Sequence, residues 1–460
     1  MGGRGCRRVN NKEEFREAAA DALRFSRSGR AIAETFMEGP EFSVDAIVYH
    51  GEITICGLAD RHIFFPPYFI EMGHTMPTDL PYEQQAAILE TFCAGVRALG
   101  LAGPESVGAA KGDIKLTPSG PMIGEIAARL SGGYMSGWTY PYSSGVEPTR
   151  AAILIAAGRK PDGLAPVKNW TSAERAFISI PGAVKAITGP VYGAVNGAEK
   201  ARRLPHIRDL FLRAAEGGRV SFPQNNVSKC GNVISVAPDR SAAIEAAENA
   251  ARAVLIRLDP ADDETEAFLA DTAAFPPNAF TLTPELKEAL AALPDPHRPD
   301  AFSVTGAFTG PLAVPPSSST PYAPAMAHSP ASPIPDPSPS FPISHSSFLI
   351  PHLVLLPFPA FAASGLTDYM GRSVAESLNA VRELTGLLLP ETSMEILPET
   401  PIETSMEILP EKNAESSDNN SRFLGKSFWA ALVRGGYQGA VYYIDRLRGN
   451  RGELINERYP

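Results

Sequence analysis

KGDIKLTPSGPMIGEIAARLSGG, residues 111–133, is the stretch whose reading decides the fold. It reads as two strands joined by a turn at Thr117-Pro118-Ser119-Gly120, where Pro and Gly suit the tight reversal. Asp113 lies on the incoming strand and Glu125 on the outgoing one. A hairpin closed at that turn brings both carboxylates to one face. Arg129 follows Glu125 by four residues, and a glycine-rich segment comes next. Two close carboxylates offer the hard oxygens that Mg²⁺ prefers, with water and phosphate filling its other positions. A neighbouring arginine fork matches a phosphate or acyl-phosphate. The competing reading is a surface hairpin with two solvated acids.

Working outward, the 460 residues allow two or three domains, and 44% hydrophobic residues allow a large core. A net charge of -10 argues against a nucleic-acid-binding surface, though a local cationic cluster can still hold a nucleotide. Cys6, Cys56, Cys93 and Cys230 show no paired spacing. That excludes a zinc or CxxC redox motif and fits a reducing compartment. The first fifteen residues carry no apolar signal region, so a cytoplasmic location is expected.

Residues 1–260 have the pattern of an α/β unit, with helices expected over 13–25, 82–99, 148–157 and 240–257. Strands are expected over 31–36, 41–48, 53–59, 176–180 and 231–236, beside the hairpin itself. An irregular extension over 261–310 leads into a Pro/Ser-rich and apolar low-complexity linker, 311–365. Its apolar part is short and broken by Pro351, Pro357 and Pro359, which argues against a membrane span. Residues 366–422 read as a helix (366–389) followed by a linker in which ETSMEILPE occurs twice. Residues 423–460 read as a small module: a helix over 427–436, then an aromatic strand over 439–447, docking on the main body or binding a partner.

Two further segments join the hairpin. Gly2, Gly3, Arg4 and Gly5 form a glycine-rich loop whose backbone N–H groups can approach phosphates. In AETFMEGPEFSVD, residues 33–45, Glu34 precedes Phe36 and Met37, and Gly39 precedes Glu41 at the mouth of a strand.

With these residues the sequence resembles the ATP-grasp superfamily. The resemblance rests on order and spacing: glycine-rich loop, helix, a hinge of the form E-x-F-h-x-G-x-E, then two acids a dozen residues apart, an arginine and glycines. It covers residues 1 to about 260. FIEMGHTMP (69–77) and EIAARLSGG (125–133) look most like the carboxylate–amine ligase branch, which includes carnosine-synthase-like and dipeptide-forming enzymes. Biotin carboxylase and carbamoyl-phosphate synthase share the core but usually place Asn two residues after the later acid, where this chain has Ala127.

The resemblance implies an ATP-grasp fold, with Glu34, Phe36 and Met37 at the adenine edge and Glu41 near the ribose. It also implies Asp113 and Glu125 holding Mg²⁺ (Mn²⁺ as substitute) on the ATP phosphates, and Arg129 and Lys111 neutralising the transferred phosphoryl group. Glu71 and His74 fall in an expected loop facing small-molecule carboxylate and amine substrates or closing over nucleotide. A homo-oligomer is left open, and neither a nucleic-acid nor a membrane partner is expected. The family's lid, with its phosphate-binding lysines, and an N-terminal domain lie upstream of the glycine loop. In this chain no lysine precedes Lys12. The expectation is therefore a ligase core lacking its N-terminal domain and part of its lid, weak or inactive as it stands. The alternatives are a biotin-carboxylase-like or carbamoyl-phosphate-forming enzyme and a non-catalytic nucleotide-binding protein.

Overall fold

A thirteen-residue second strand and a buried third strand, neither fully anticipated, decide how the hairpin sits in the sheet. The computed structural model describes residues 3–188, 197–296, 353–389 and 422–449. The chain is mixed α/β, as the sequence indicates. After α1 (Lys12–Phe25) come β1 (Glu41–Tyr49), β2 (Glu52–Phe64) and β3 (Ile70–Met76), then α2 (Tyr82–Ala98) and the hairpin β4 (Val107–Thr117) and β5 (Gly120–Ala127). Asn11 caps α1, its side chain accepting from the Glu14 N–H.

A π-helical turn, Met135–Thr139, leads to α3 (Tyr140–Ser144) and α4 (Pro148–Ala156). Then follow β6 (Thr171–Phe177), β7 (Gly182–Thr188), α5 (Gly197–Arg202), β8 (Ile207–Leu212), β9 (Arg219–Val220), β10 (Gly231–Ala237), α6 (Arg240–Arg252) and β11 (Leu255–Leu258). The large sheet has the order β5-β4-β1-β2-β3-β6-β10-β8, with every neighbouring pair antiparallel. A small sheet pairs β11-β7-β9.

β1 alternates from Glu41 to Ala46. Phe42, Val44, Ala46 and Val48 pack against α2, whose Ile88, Phe92 and Val96 recur every four residues and are fully buried. Each such side chain contributes roughly 1.5–3 kcal/mol by leaving water. The opposite face of β1 carries Glu41, Ser43 and Asp45, and this face holds the polar cluster described below.

Several expectations are corrected. Residues 31–36 form no strand: they have no regular structure, are exposed and pair with no strand. Glu71 and His74 lie on β3, not in a loop, and β3 is buried almost throughout, so its sequence shows no alternation. The sixth strand lies earlier than expected, at Thr171–Phe177. The long helix stops at Arg252, and its expected last turn is instead β11.

The last part of the chain departs most. α7 (Asp263–Ala270), α8 (Pro284–Ala292), β12 (Leu353–Leu355), α9 (Pro359–Ala362), α10 (Val374–Thr385), β13 (Arg422–Leu424) and α11 (Lys426–Gly449) complete it. Residues 439–447 are helical, not a strand: α11 kinks at Gly436 (φ 62°) and continues, buried nearly all round. Phe358, Phe361, Trp429 and Tyr443 share one hydrophobic core with Phe177, Val233, Ala247 and Phe280. Residues 353–363, placed in the linker by composition, therefore belong to the core, and the C-terminal segment is built into the main body. Gln438 fastens it, donating to Ser179 Oγ (2.6 Å) and accepting from the Ile180 N–H (3.0 Å). Gly2, most of the Pro/Ser-rich tract and both ETSMEILPE copies lie outside the described residues. Among the described residues no helix is long and apolar enough to cross a membrane.

Candidate functional site

The hairpin register sets Asp113 opposite Glu125. Thr117 Oγ1 donates to the Gly120 carbonyl (2.8 Å) and Gly120 takes φ 108°, which closes the turn where Pro118 precedes it. β1 lies on the other side of β4, with Glu41 opposite Lys115 and Ser43 opposite Asp113. β2 then sets Arg61 opposite Glu41, and β3 sets His74 opposite Arg61. Pairing alone thus lines Glu125, Asp113, Glu41, Arg61, Glu71 and His74 across five adjacent strands.

Arg61 is the centre of this row. Its guanidinium lies 2.6 Å from Glu71 Oε2 and 3.0 Å from Asp113 Oδ1, and it is also paired with Glu41. Only 11% of its side chain is exposed. Burial works against its charge, but the three carboxylates outweigh that and raise its proton affinity further. Burial likewise pushes the Glu71 carboxyl up, but Arg61, Lys229 and His74 prevail and bring it down to about 2. Glu71 is ionised at neutral pH. Lys229 also donates to its backbone carbonyl (2.6 Å), and Asn226 accepts from its N–H (2.9 Å).

Lys111 stands between the two hairpin acids, paired with Asp113 and 3.6 Å from Glu125 Oε1. Lys115 is 3.6 Å from Glu41, and Arg129 is 3.6 Å from Glu125. Arg129 is exposed and donates to the Leu130 carbonyl.

Behind this row Asp45 is fully buried. It accepts from the Ser131 N–H (3.1 Å), from the Ser131 hydroxyl (2.5 Å) and from the Ser136 hydroxyl (2.7 Å). Burial raises its proton affinity, and these hydrogen bonds oppose the rise. Asp45 therefore anchors the loop that carries Arg129 and Gly133. His74 is also fully buried, with Nε2 3.0 Å from Thr139 Oγ1 and Nδ1 3.2 Å from Glu174.

The structure brings together Glu41, Glu71, Lys111, Asp113, Glu125 and Arg129. Phe36 and Met37 lie beside them: Phe36 packs on Phe69 (5.4 Å) under the Arg8 guanidinium (4.3 Å), and Met37 reaches Gly124. Glu34 stands apart on the exposed extended segment. Gly3 lies against Asn226, which touches Glu71, while Arg4 is exposed. Gly5 has a packing reason: a Cβ there would meet the α1 backbone at Ala22, 2.8 Å away. Sequence reasoning missed Arg61, Asp45, Asn226 and Lys229. Arg61 lies just past the expected strand end at residue 59, in the polar run Asp60-Arg61-His62, which gave no signal for it.

Among the described residues no three His, Cys, Asp or Glu side chains converge to hold a metal by themselves. Asp113 and Glu125 fit a Mg²⁺ that takes its other ligands from water and phosphate.

Residues 176–259 match the family model described as L-amino acid ligase C-terminal domain 2. That segment contains Asn226, Lys229 and Asn232; the last donates to Glu174. The chain is 28% identical over 199 residues to carnosine synthase 1 of Gallus gallus, an alignment covering 43% of this chain and 20% of that protein. It is 31% identical over 126 residues to carnosine synthase 1 of Homo sapiens, covering 27% and 15% respectively. The chain thus spans about a fifth or less of these relatives' length. Among solved structures, the L-amino acid ligase from Bacillus licheniformis is similar over 55% of this chain and 61% of its own, at 19% identity and a TM-score of 0.46.

Proposed function

We propose that the chain is an ATP-grasp protein of the carboxylate–amine ligase kind, whose polar cluster binds Mg·ATP and joins a small carboxylate to an amine; the family match over residues 176–259 and the likeness to carnosine synthase 1 support this. The observation that carries this is Asp113 facing Glu125 across the hairpin, with Lys111 and Arg129 within 4 Å of the same acids.

Asp113 and Glu125 would hold Mg²⁺, or Mn²⁺ in its place. When bound, the cation screens the phosphate charge that repels an incoming carboxylate. Arg129, exposed on the loop after β5, would turn from Glu125 onto the transferred phosphoryl group. Lys111 adds an ammonium from the strand below. A substrate carboxylate oxygen attacks the γ-phosphorus, the bond to the bridging oxygen breaks, and ADP leaves. The amine nitrogen then attacks the acyl carbon, inorganic phosphate departs, and the nitrogen loses a proton to give the amide. Such chemistry is mostly positioning and charge neutralisation. Glu71, kept ionised by Arg61, is the acid on the substrate side. His74, fully buried, acts by fixing β3 against β6. Phe36 and Met37 offer an apolar edge to adenine, with Glu41 toward the ribose and Glu34 on the approach. Gly3, against Asn226, would approach the phosphates, with Arg4 exposed beside it and Gly5 holding the loop on α1. The cytoplasm, where ATP is held with Mg²⁺, is the compartment this reading requires.

The test is Mg²⁺-dependent binding of ADP by calorimetry, followed by mass-spectrometric detection of amide products from ATP and pooled amino acids. Nucleotide binding that is unchanged in the Asp113→Ala, Glu125→Ala double variant overturns the assignment. Bicarbonate-dependent ATP hydrolysis without amide formation replaces the ligase reading with a carboxylase-like one.

A further inference from the structure

The cluster is already balanced without any metal. Four carboxylates, Glu41, Glu71, Asp113 and Glu125, are ion-paired with four cations, Arg61, Lys111, Lys115 and Arg129. Each acid of the hairpin has at least one resident partner. Lys111 touches both and is 7% exposed, so its ammonium sits in the space between the two carboxylates. Ser43 and Asp45 border it from β1, with Ser43 Oγ 3.4 Å from Asp113 Oδ1.

A bare divalent cation entering here meets a site with no net negative charge and an ammonium in the way. A cation that arrives on a nucleotide brings its own anions. The phosphates supply new partners for Lys111, so the ammonium can turn from the acids to the phosphate oxygens as the metal takes its place.

We infer that Lys111 is a resident cation of the acid pair, which makes the metal site conditional on nucleotide: free Mg²⁺ or Mn²⁺ is rejected, and the metal enters only with its phosphates. This rests on the reading of the acid pair as the Mg·ATP site.

The experiment is Mn²⁺ titration of the full chain, free Mn²⁺ being read by electron paramagnetic resonance, with and without ADP. The wild-type chain is expected to retain Mn²⁺ only when ADP is present. Lys111→Met is expected to bind Mn²⁺ without nucleotide at least roughly tenfold more tightly than wild type, since removing one close charge shifts an ionic equilibrium by about that much or more. Lys111→Arg is expected to restore the rejection. Tight Mn²⁺ binding by the wild-type chain without ADP overturns the inference by itself, whether or not the variants fold. Equal nucleotide-free affinity in wild type and a folded Lys111→Met also overturns it. Failure of the wild-type chain to retain Mn²⁺ even with ADP overturns the Mg·ATP reading, and the inference with it.

Discussion

Arg61 Nη1 reaches over β1 to within 3.0 Å of Asp113 Oδ1, tying together the two strands that flank β1 on either side. The same guanidinium holds Glu41 and Glu71. Its removal leaves three carboxylates crowded in a mostly buried place, with only Lys111, Lys115 and Lys229 to offset them, which is far more costly than losing a surface pair. Arg61→Met is expected to lower stability by about 3–5 kcal/mol, read as a fall in the urea midpoint with little change in slope. Arg61→Lys recovers part of it. Glu71 adds a pH signature. Its folded carboxyl lies near 2, below its ordinary value of 4.5, so its stabilisation is complete above pH 4.5 and is lost as pH falls toward 2. That acid limb shrinks in Arg61→Met.

His62 gives a second acid sensitivity of the same sign, beginning at higher pH. Burial, then Arg175 and neighbouring positive charge, hold its imidazole down at about 3 from 6.5. The folded protein keeps it neutral, against Thr75 Oγ1 at 2.9 Å. Between pH 6.5 and 3 the unfolded chain takes up a proton that the folded chain refuses, so stability falls as pH drops through that window. The expected loss from pH 8 to pH 5 is about 2 kcal/mol. His62→Gln, which keeps a partner for Thr75 and does not titrate, should flatten that part of the stability–pH curve.

Gly5 and Gly29 form a matched pair for separating crowding from backbone strain. Both have φ near +70°, but a Cβ at Gly5 meets Ala22 Cα at 2.8 Å, while one at Gly29 meets nothing within 4 Å. Gly29→Ala is expected to cost about 1 kcal/mol, the strain of a left-handed residue. Gly5→Ala should cost roughly 1–3 kcal/mol more and lower the melting temperature accordingly, because α1 must shift. Equal melting temperatures would show that the loop does not pack on α1.

Trp429 tests whether the C-terminal helix is part of the main core. It is 1% exposed, meets Phe358 and Phe361 edge-on, and donates to the Leu356 carbonyl (2.9 Å). Trp429→Ala is expected to cost about 3–5 kcal/mol and to move a single unfolding transition. Two transitions, with only the smaller one shifted, would make the segment a separate unit.

The hairpin was legible because turn chemistry and strand alternation agree there, and those two signals fix register. Counting back from the turn would set Asp113 opposite Gly124; a bulge at Asp113/Ile114 brings Glu125 opposite instead, and local sequence does not announce it. Arg61 was not legible, because its partners depend on how β2 pairs with β1 and β3, across a bulge at His62/Ile63 that local sequence does not announce. Glu71 and His74 were read as loop residues because β3 is covered on both faces and carries no period of two. Residues 439–447 were read as a strand because Val, Tyr and Ile favour one. All-round burial removes the polar stripe that would have marked a helix. Residues 31–36 have strand-like composition, but propensity cannot supply the partner strand they lack.

The seat of Gln438 against Ser179 and Ile180 joins residues 259 and 258 positions apart. During synthesis the segment that matches the family model, residues 176–259, leaves the ribosome long before α11 exists. Until then Ile180 lacks the cover that Gly435 and Gln438 give it. The nascent chain carries an open apolar seam until α11 has been made, so this part of the fold closes late, at a rate governed by long-range closure.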